Sequence, residues 1–93
     1  MAKYFVELTG PAKRDILAHK QSGNIASIKK IERILSELSE HPYSGTGQPE
    51  PLKYQLQGFW SRRINQKDRL IYQVHENIVT VEVVSAIGHY LDK

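Results

Sequence analysis

One stretch of this chain leaves little choice of architecture. Ile28, Ile31, Ile34, Leu35 and Leu38 recur at three- and four-residue spacing, which places them on one face of a helix. Lys29, Lys30, Arg33, Glu37 and Glu40 occupy much of the remaining surface. Such a helix must be covered along its apolar face. A chain of 93 residues without cysteine has no disulfide to substitute for a core, and its length suits one domain, residues 1–93. His41-Pro42 ends the helix, because proline disfavours helical backbone in the residue before it. The cover has to come from what flanks it. Downstream stand three runs suited to strands: Gly58–Ile64, Arg69–Val74 and Ile78–Ile87. Asn65–Asp68 makes a tight connection between the first two and His75–Asn77 joins the last two, so an antiparallel meander is expected. Upstream, Tyr4–Leu8 suits a strand. Thr9 stands as a helix cap with Pro11 in the first turn, opening a short helix over Ala12–Lys20 with Ile16 and Leu17 as its apolar contacts. Gln21–Asn24 breaks it, and Tyr43–Pro51 is a loop by composition. The expectation is an α+β domain in which an N-terminal strand and a helical hairpin pack on a twisted antiparallel sheet.

Composition narrows the function. Hydrophobic residues make up 40% of the chain, enough for a modest core, and no apolar run approaches the roughly 18–20 residues that span a bilayer. Met1-Ala2-Lys3-Tyr4 leads straight into a strand-like segment without the apolar core of a signal peptide. A reducing cytoplasm and no membrane partner are expected. Without cysteine there is no thiolate metal site and no thiol nucleophile, and no His/Asp/Glu spacing resembles a metal site. The formal net charge is +3, and it is unevenly spread. Lys53, Arg62, Arg63, Lys67 and Arg69 face a single acid, Asp68, whereas the bases and acids between Lys29 and Glu40 balance. The positive potential is therefore assigned to the second half.

Chemistry without thiol or metal needs acids, bases and fixed cations. Glu50 stands between Pro49 and Pro51, which restrict the backbone that carries it. Lys53, Arg62, Arg63 and Arg69 supply cations nearby in sequence, and His89-Tyr90 follows the last strand. A carboxylate, cations and a histidine suffice for RNA cleavage by the ribose's own 2′-hydroxyl. A base removes the hydroxyl proton, cations stabilise the phosphorane, and an acid protonates the leaving 5′-oxygen. Each member also has a plainer role. Glu50 suits a solvated loop acid, Arg62 and Arg63 an outward-facing pair, His89 a strand-end cap and Tyr90 a sheet-edge contact. His19, His41 and His75 fall on a helix end, a helix terminus and a turn. Phe59, Trp60 and Tyr72 suit a core between sheet and helices, although Tyr54, Phe59, Trp60 and Tyr90 also suit base stacking.

Adjacent residues of a strand point to opposite faces, so only one of Arg62 and Arg63 can share a face with Arg69. An even connection puts Arg62 on that face, and an odd connection puts Arg63 opposite Arg69. The other arginine is then a structural or partner contact.

The combination Gly45-Thr-Gly-Gln-Pro-Glu-Pro-Leu-Lys53, then Leu56-Gln-Gly-Phe-Trp-Ser-Arg-Arg-Ile64, then Asp68-Arg-Leu-Ile-Tyr72, with His89-Tyr90 near the end, closely resembles the YoeB/Txe family of toxins within the RelE-like superfamily. The first forty residues match only in pattern. The resemblance implies a RelE-like fold and a toxin of a type II toxin–antitoxin pair, acting as an endoribonuclease that enters the ribosomal A site and cuts messenger RNA. It implies no cofactor. A cognate YefM-like antitoxin, the ribosome and the message are the implied partners, in a toxin–antitoxin hetero-oligomer, and a homodimer is compatible. Carried over by position, Glu50 resembles the family's general base, His89 its general acid and Arg69 its phosphate-stabilising arginine. Arg63 resembles a second arginine of the site, Tyr90 the substrate-positioning tyrosine, and Lys53 a phosphate- or rRNA-contacting cation. If Arg63 and Arg69 share the groove, the connection between their strands is odd or bulged. Two departures stand out: Gly88 in place of an aromatic before His89, and the tail Leu91-Asp92-Lys93 after Tyr90. Glycine is expected to loosen the backbone there. The competing reading is a domain of the same fold that has lost catalysis and survives as a ribosome- or antitoxin-binding module, blocking translation or acting as a corepressor.

Overall fold

The computed structural model describes residues 3–88. Its elements are β1 (Phe5–Leu8), α1 (Gly10–Ser22), α2 (Ile25–Leu38), β2 (Glu50–Pro51), β3 (Phe59–Arg63), β4 (Arg69–His75) and β5 (Thr80–Ser85). Thr9 caps α1, its Oγ1 accepting from the Ala12 N–H at 3.2 Å, with Pro11 in the first turn. Gly23 closes that helix in the left-handed region at φ +76°, where glycine bears no Cβ penalty. Asn24 opens α2 by accepting from the Ser27 N–H at 3.1 Å. Ile31, Ile34 and Leu38 of α2 are buried, as their spacing requires, with Ile28 and Leu35 at the margin. On α1 the buried apolar contact is Ala12, while Leu17 is exposed, contrary to the contact expected of it.

The strands form one five-stranded sheet in the order β1-β5-β4-β3-β2. β3, β4 and β5 make the expected antiparallel meander. β1 lies parallel to β5, so the sheet is mixed at this edge. The connection between these two parallel strands runs through both helices and β2–β4, far longer than the crossover a parallel pairing needs. β2 is a departure from the loop expected at Tyr43–Pro51, because Glu50 and Pro51 pair with Ser61 and Trp60. A proline is tolerated there because β2 is an edge strand.

The helices cover one face of the sheet. Tyr4, Ile31, Ile34, Leu38, Ile64, Leu70, Tyr72, Val81 and Val83 pack into the core between the layers. The other face is free of helices, and strand alternation assigns Glu50, Phe59, Ser61, Arg63, Arg69, Ile71 and Gln73 to it. Phe59 is thus not a core residue between sheet and helices. Trp60 packs against the core and meets the Tyr43 ring at 5.1 Å between centroids, and Tyr72 is fully buried.

Candidate active site

The register of β3 and β4 decides which arginine belongs to the helix-free face. Arg63 stands directly opposite Arg69, and Arg62 opposite Leu70. The odd connection arises from an Asn65 turn. Its Oδ1 accepts from the Lys67 and Asp68 N–H groups at 2.9 and 2.8 Å, while the Ile64 N–H reaches the Asp68 carbonyl at 3.0 Å. Glu50 pairs with Ser61 one strand further out, so its carboxylate belongs to the face of Arg63 and Arg69. Glu50 Oε1 lies 3.6 Å from the Arg69 guanidinium, with the Glu50 side chain half exposed and that of Arg69 mostly covered. Arg63 is exposed. A carboxylate open to solvent and two cations thus share one short reach of sheet. Lys53 is exposed at the start of the turn Tyr54–Leu56, and Tyr54 is 66% exposed. His89 and Tyr90 lie outside the described residues.

Arg62 turns to the helix side and is fully buried. Its guanidinium donates to Glu37 Oε1 at 2.7 Å, to the Ser44 carbonyl at 2.8 Å, to the Thr46 carbonyl at 3.3 Å and to the Tyr72 hydroxyl at 3.2 Å, and also to the His41 carbonyl. It ties the loop from His41 to Gly47 to the sheet. The Arg63 N–H continues the attachment by donating to the Gly47 carbonyl at 2.7 Å. Two glycines make the close approach feasible. A Cβ on Gly45, at φ +121°, would run into the Glu37 carboxylate, and one on Gly47, at φ +86°, would stand 2.8 Å from the Arg63 carbonyl. The loop that leads to Glu50 is therefore fastened by the neighbour of Arg63.

The same contacts revise the charge distribution. Glu37 is drawn into Arg62 and Thr46, whose N–H and hydroxyl donate to it at 2.8 and 2.6 Å. It is thereby lost as a neutralising partner four residues from Arg33. Among the described residues none of Lys29, Lys30 and Arg33 is in an ion pair, and the three line a groove with Thr46. Positive charge is not confined to the second half, as the balance of residue types had suggested.

Burial alone would raise the Glu37 carboxyl. The hydrogen bonds from Thr46, then the bond and charge of Arg62, outweigh burial and hold the carboxyl below its ordinary value of 4.5. Asp68 follows the same pattern. Its burial is outweighed by the Gly88 N–H, then Asn65, then the charges of His19 and Lys67, and the group sits below its ordinary 3.8. A carboxyl depressed by folding stabilises the protein fully above its unfolded value, and this stability is lost as pH falls through the folded value. Melting temperature should stay level from about pH 7 to about pH 5 and fall below about pH 4.5, with Glu37→Gln removing part of the fall. A thermal-melt series in pH checks this, and a variant with an undiminished acid limb would exclude Glu37.

Gly88 departs from the freedom expected of a glycine. Its N–H donates to Asp68 Oδ1 at 2.9 Å and its carbonyl accepts from the Arg69 N–H at 3.1 Å. Its φ of +83° is the conformation that glycine makes inexpensive. Ser61 is a further residue that sequence reasoning passed over. It is fully buried directly opposite Glu50, and its hydroxyl has no hydrogen-bond partner among the described residues. Also among the described residues, no cluster of three or more His, Asp and Glu could hold a metal ion, and no helix is long and apolar enough to cross a membrane.

Comparison with known proteins settles the family. The sequence model described as the YoeB-like toxin of bacterial type II toxin–antitoxin systems matches residues 11–90. The chain belongs to this family. The toxin YoeB of Escherichia coli O6:H1 (strain CFT073) is 44% identical over 54 residues, covering 58% of this chain and 64% of that protein, just under two thirds of its length. The structure of a YoeB dimer from Staphylococcus aureus is 31% identical, covers 96% of this chain and 100% of that one, and superposes with a TM-score of 0.78. The YoeB of a YoeB–YefM complex from the same organism is 33% identical with the same coverage, at a TM-score of 0.75. The YoeB-like match contains Glu50, Lys53, Arg63, Arg69, His89 and Tyr90, the residues singled out from sequence.

Proposed function

We propose that this protein is a ribosome-dependent endoribonuclease that cuts messenger RNA in the A site and so stops translation. The observation that carries the reading is the placement of Glu50, Arg63 and Arg69 on the helix-free face, with carboxylate and guanidinium 3.6 Å apart. Glu50 takes the proton of a ribose 2′-hydroxyl, and the oxygen so freed attacks the adjacent phosphorus. The extra negative charge of the phosphorane falls to Arg69 and Arg63. His89 gives a proton to the departing 5′-oxygen, leaving a 2′,3′-cyclic phosphate and a 5′-hydroxyl. Lys53 serves the RNA backbone, and Tyr54 and Tyr90 offer rings to unstacked bases. This work belongs to the cytoplasm, where the ribosomes are.

A message carrying one 2′-deoxy ribose on the 5′ side of the cut site tests this chemistry. It should survive intact on the ribosome while its all-ribose counterpart is cleaved. Cleavage of both at similar rates would exclude the 2′-hydroxyl as nucleophile.

The same family membership supports a YefM-like antitoxin as partner, as in the Staphylococcus aureus complex, and a homodimer rests on the dimeric structure from that organism. An antitoxin at a hundredfold its dissociation constant should stabilise the toxin by about 2.7 kcal/mol, a rise in Tm of about 10 °C or more. An unmoved melt in the presence of saturating YefM-like antitoxin would contradict that pairing.

A further inference from the structure

Ala86 and Gly88, two of the three residues after β5, are held by side chains from two distant parts of the fold. The Ala86 N–H donates to Asp15 Oδ2 at 2.9 Å, and the Ala86 carbonyl is 2.8 Å from His19 Nε2. Facing a carbonyl oxygen, that nitrogen must carry the proton. Both contacts come from α1. Gly88 is then bonded on both sides, to the Asp68 carboxylate and to the backbone of Arg69. Asp68 is itself fixed by Asn65 Nδ2, which donates to Oδ2 at 3.0 Å and to the Ser27 hydroxyl at 2.9 Å. Ala86, His19 and Asp68 are all buried. A bulge opposite Ile71 and Tyr72 turns the end of β5 out of register before this segment begins.

Segments beyond the last strand ordinarily fray unless something ties them down. Three buried or half-buried polar side chains spent on two residues call for a reason, and the next residue in the chain is His89. We propose that Asp68, assisted by Asp15 and His19, is a positioning residue of the cleavage site. It fixes Gly88, and with it the point from which the chain enters His89, to the backbone of Arg69. It acts on the reaction only through His89. The inference rests on the ribonuclease reading above and deepens it. None of this is legible in sequence, because Asp15 and His19 are separated from Ala86 by most of the chain and Asp68 lies 20 residues from Gly88.

The test is single-turnover cleavage of a message positioned on ribosomes by Asp68→Ala, Asp68→Asn, Asp15→Ala, His89→Ala and the double variants Asp68→Ala/His89→Ala and Asp15→Ala/His89→Ala. Asp68→Ala should lower the limiting rate about tenfold to a hundredfold, the scale of a small misplacement of a reacting group. Its half-saturating concentration should stay within about twofold. Asp68→Asn keeps an oxygen for the Gly88 N–H and should recover most of the rate. In the His89→Ala background the Asp68 change should cost less than about twofold, as coupled residues require. Should Asp68→Ala fail to fold, Asp15→Ala at its half-buried position carries the same expectation at a loss of several-fold, again absent without His89. Losses that multiply fully in the double variants overturn the proposal, as does a folded Asp68→Ala of unchanged rate. A wild-type protein that leaves the message intact removes the ribonuclease reading itself. Multiplied losses in an active wild type remove only the role of Asp68.

Discussion

Glu50→Gln is expected to lower single-turnover cleavage of ribosome-bound message by about 10²–10⁴-fold, the usual contribution of a general base. The amide keeps the shape of the side chain and cannot accept the 2′-hydroxyl proton. Little stability should be lost with it. Glu50 is half exposed on an edge strand, and an ion pair as open as that with Arg69 is worth about 0–1 kcal/mol, so the melting temperature should move by only a few degrees. The variant should bind ribosomes as the wild type does, because the cations of the face are untouched. Glutamine retaining cleavage within about threefold would leave the carboxylate without a chemical role, and the arginines would then have to account for the activity by positioning and charge alone.

Arg62 and Arg63, adjacent in sequence, should fail in opposite ways. Arg62→Ala leaves Glu37 without its cation and removes the donor to three loop carbonyls and the Tyr72 hydroxyl. Removing one partner of a buried pair costs about 3–5 kcal/mol, and because Glu37 is partly exposed the lower figure applies. At about 4–8 °C per kcal/mol for a domain of this size, a fall of about 12 °C or more in Tm follows. Arg63→Ala should leave the melt nearly unchanged and lower cleavage, since its side chain is exposed on the helix-free face. Thermal melts and cleavage rates on the same preparations separate the two. A stable Arg62→Ala would mean that the loop from His41 to Gly47 is held by its remaining contacts.

The parts of the fold legible in sequence are those set by local periodicity and turn chemistry. The α2 stripe, the Thr9 cap and the antiparallel meander follow from spacing and residue type. The choice between Arg62 and Arg63 came down to the parity of one connection, which sequence left open and the register of β3 and β4 decides, with Arg63 opposite Arg69. Contacts between distant segments were not legible. β1 joins the sheet in parallel at the far edge, and nothing local to Tyr4–Leu8 marks its partner as β5. Glu50–Pro51 has the composition of a loop, and it becomes strand only because β3 offers an open edge. Glu37 counts as a balancing charge along α2 until Arg62, 25 residues away, takes it up. Asp15, His19 and Asp68 look like surface residues until the end of β5 is laid against them. Strand alternation marked one of the two adjacent arginines as a structural or partner contact, and Arg62 is that one. Its acceptors, Glu37 and the carbonyls of His41, Ser44 and Thr46, lie too far along the chain to be read from it.

The central claim is best met by mapping 5′ ends on a defined message, with and without bacterial 70S ribosomes. A single cut at the A-site codon, present only with ribosomes, is the predicted result. An intact message on ribosomes that demonstrably hold the protein would contradict it, and would mean a YoeB-like fold kept for binding after its chemistry was lost.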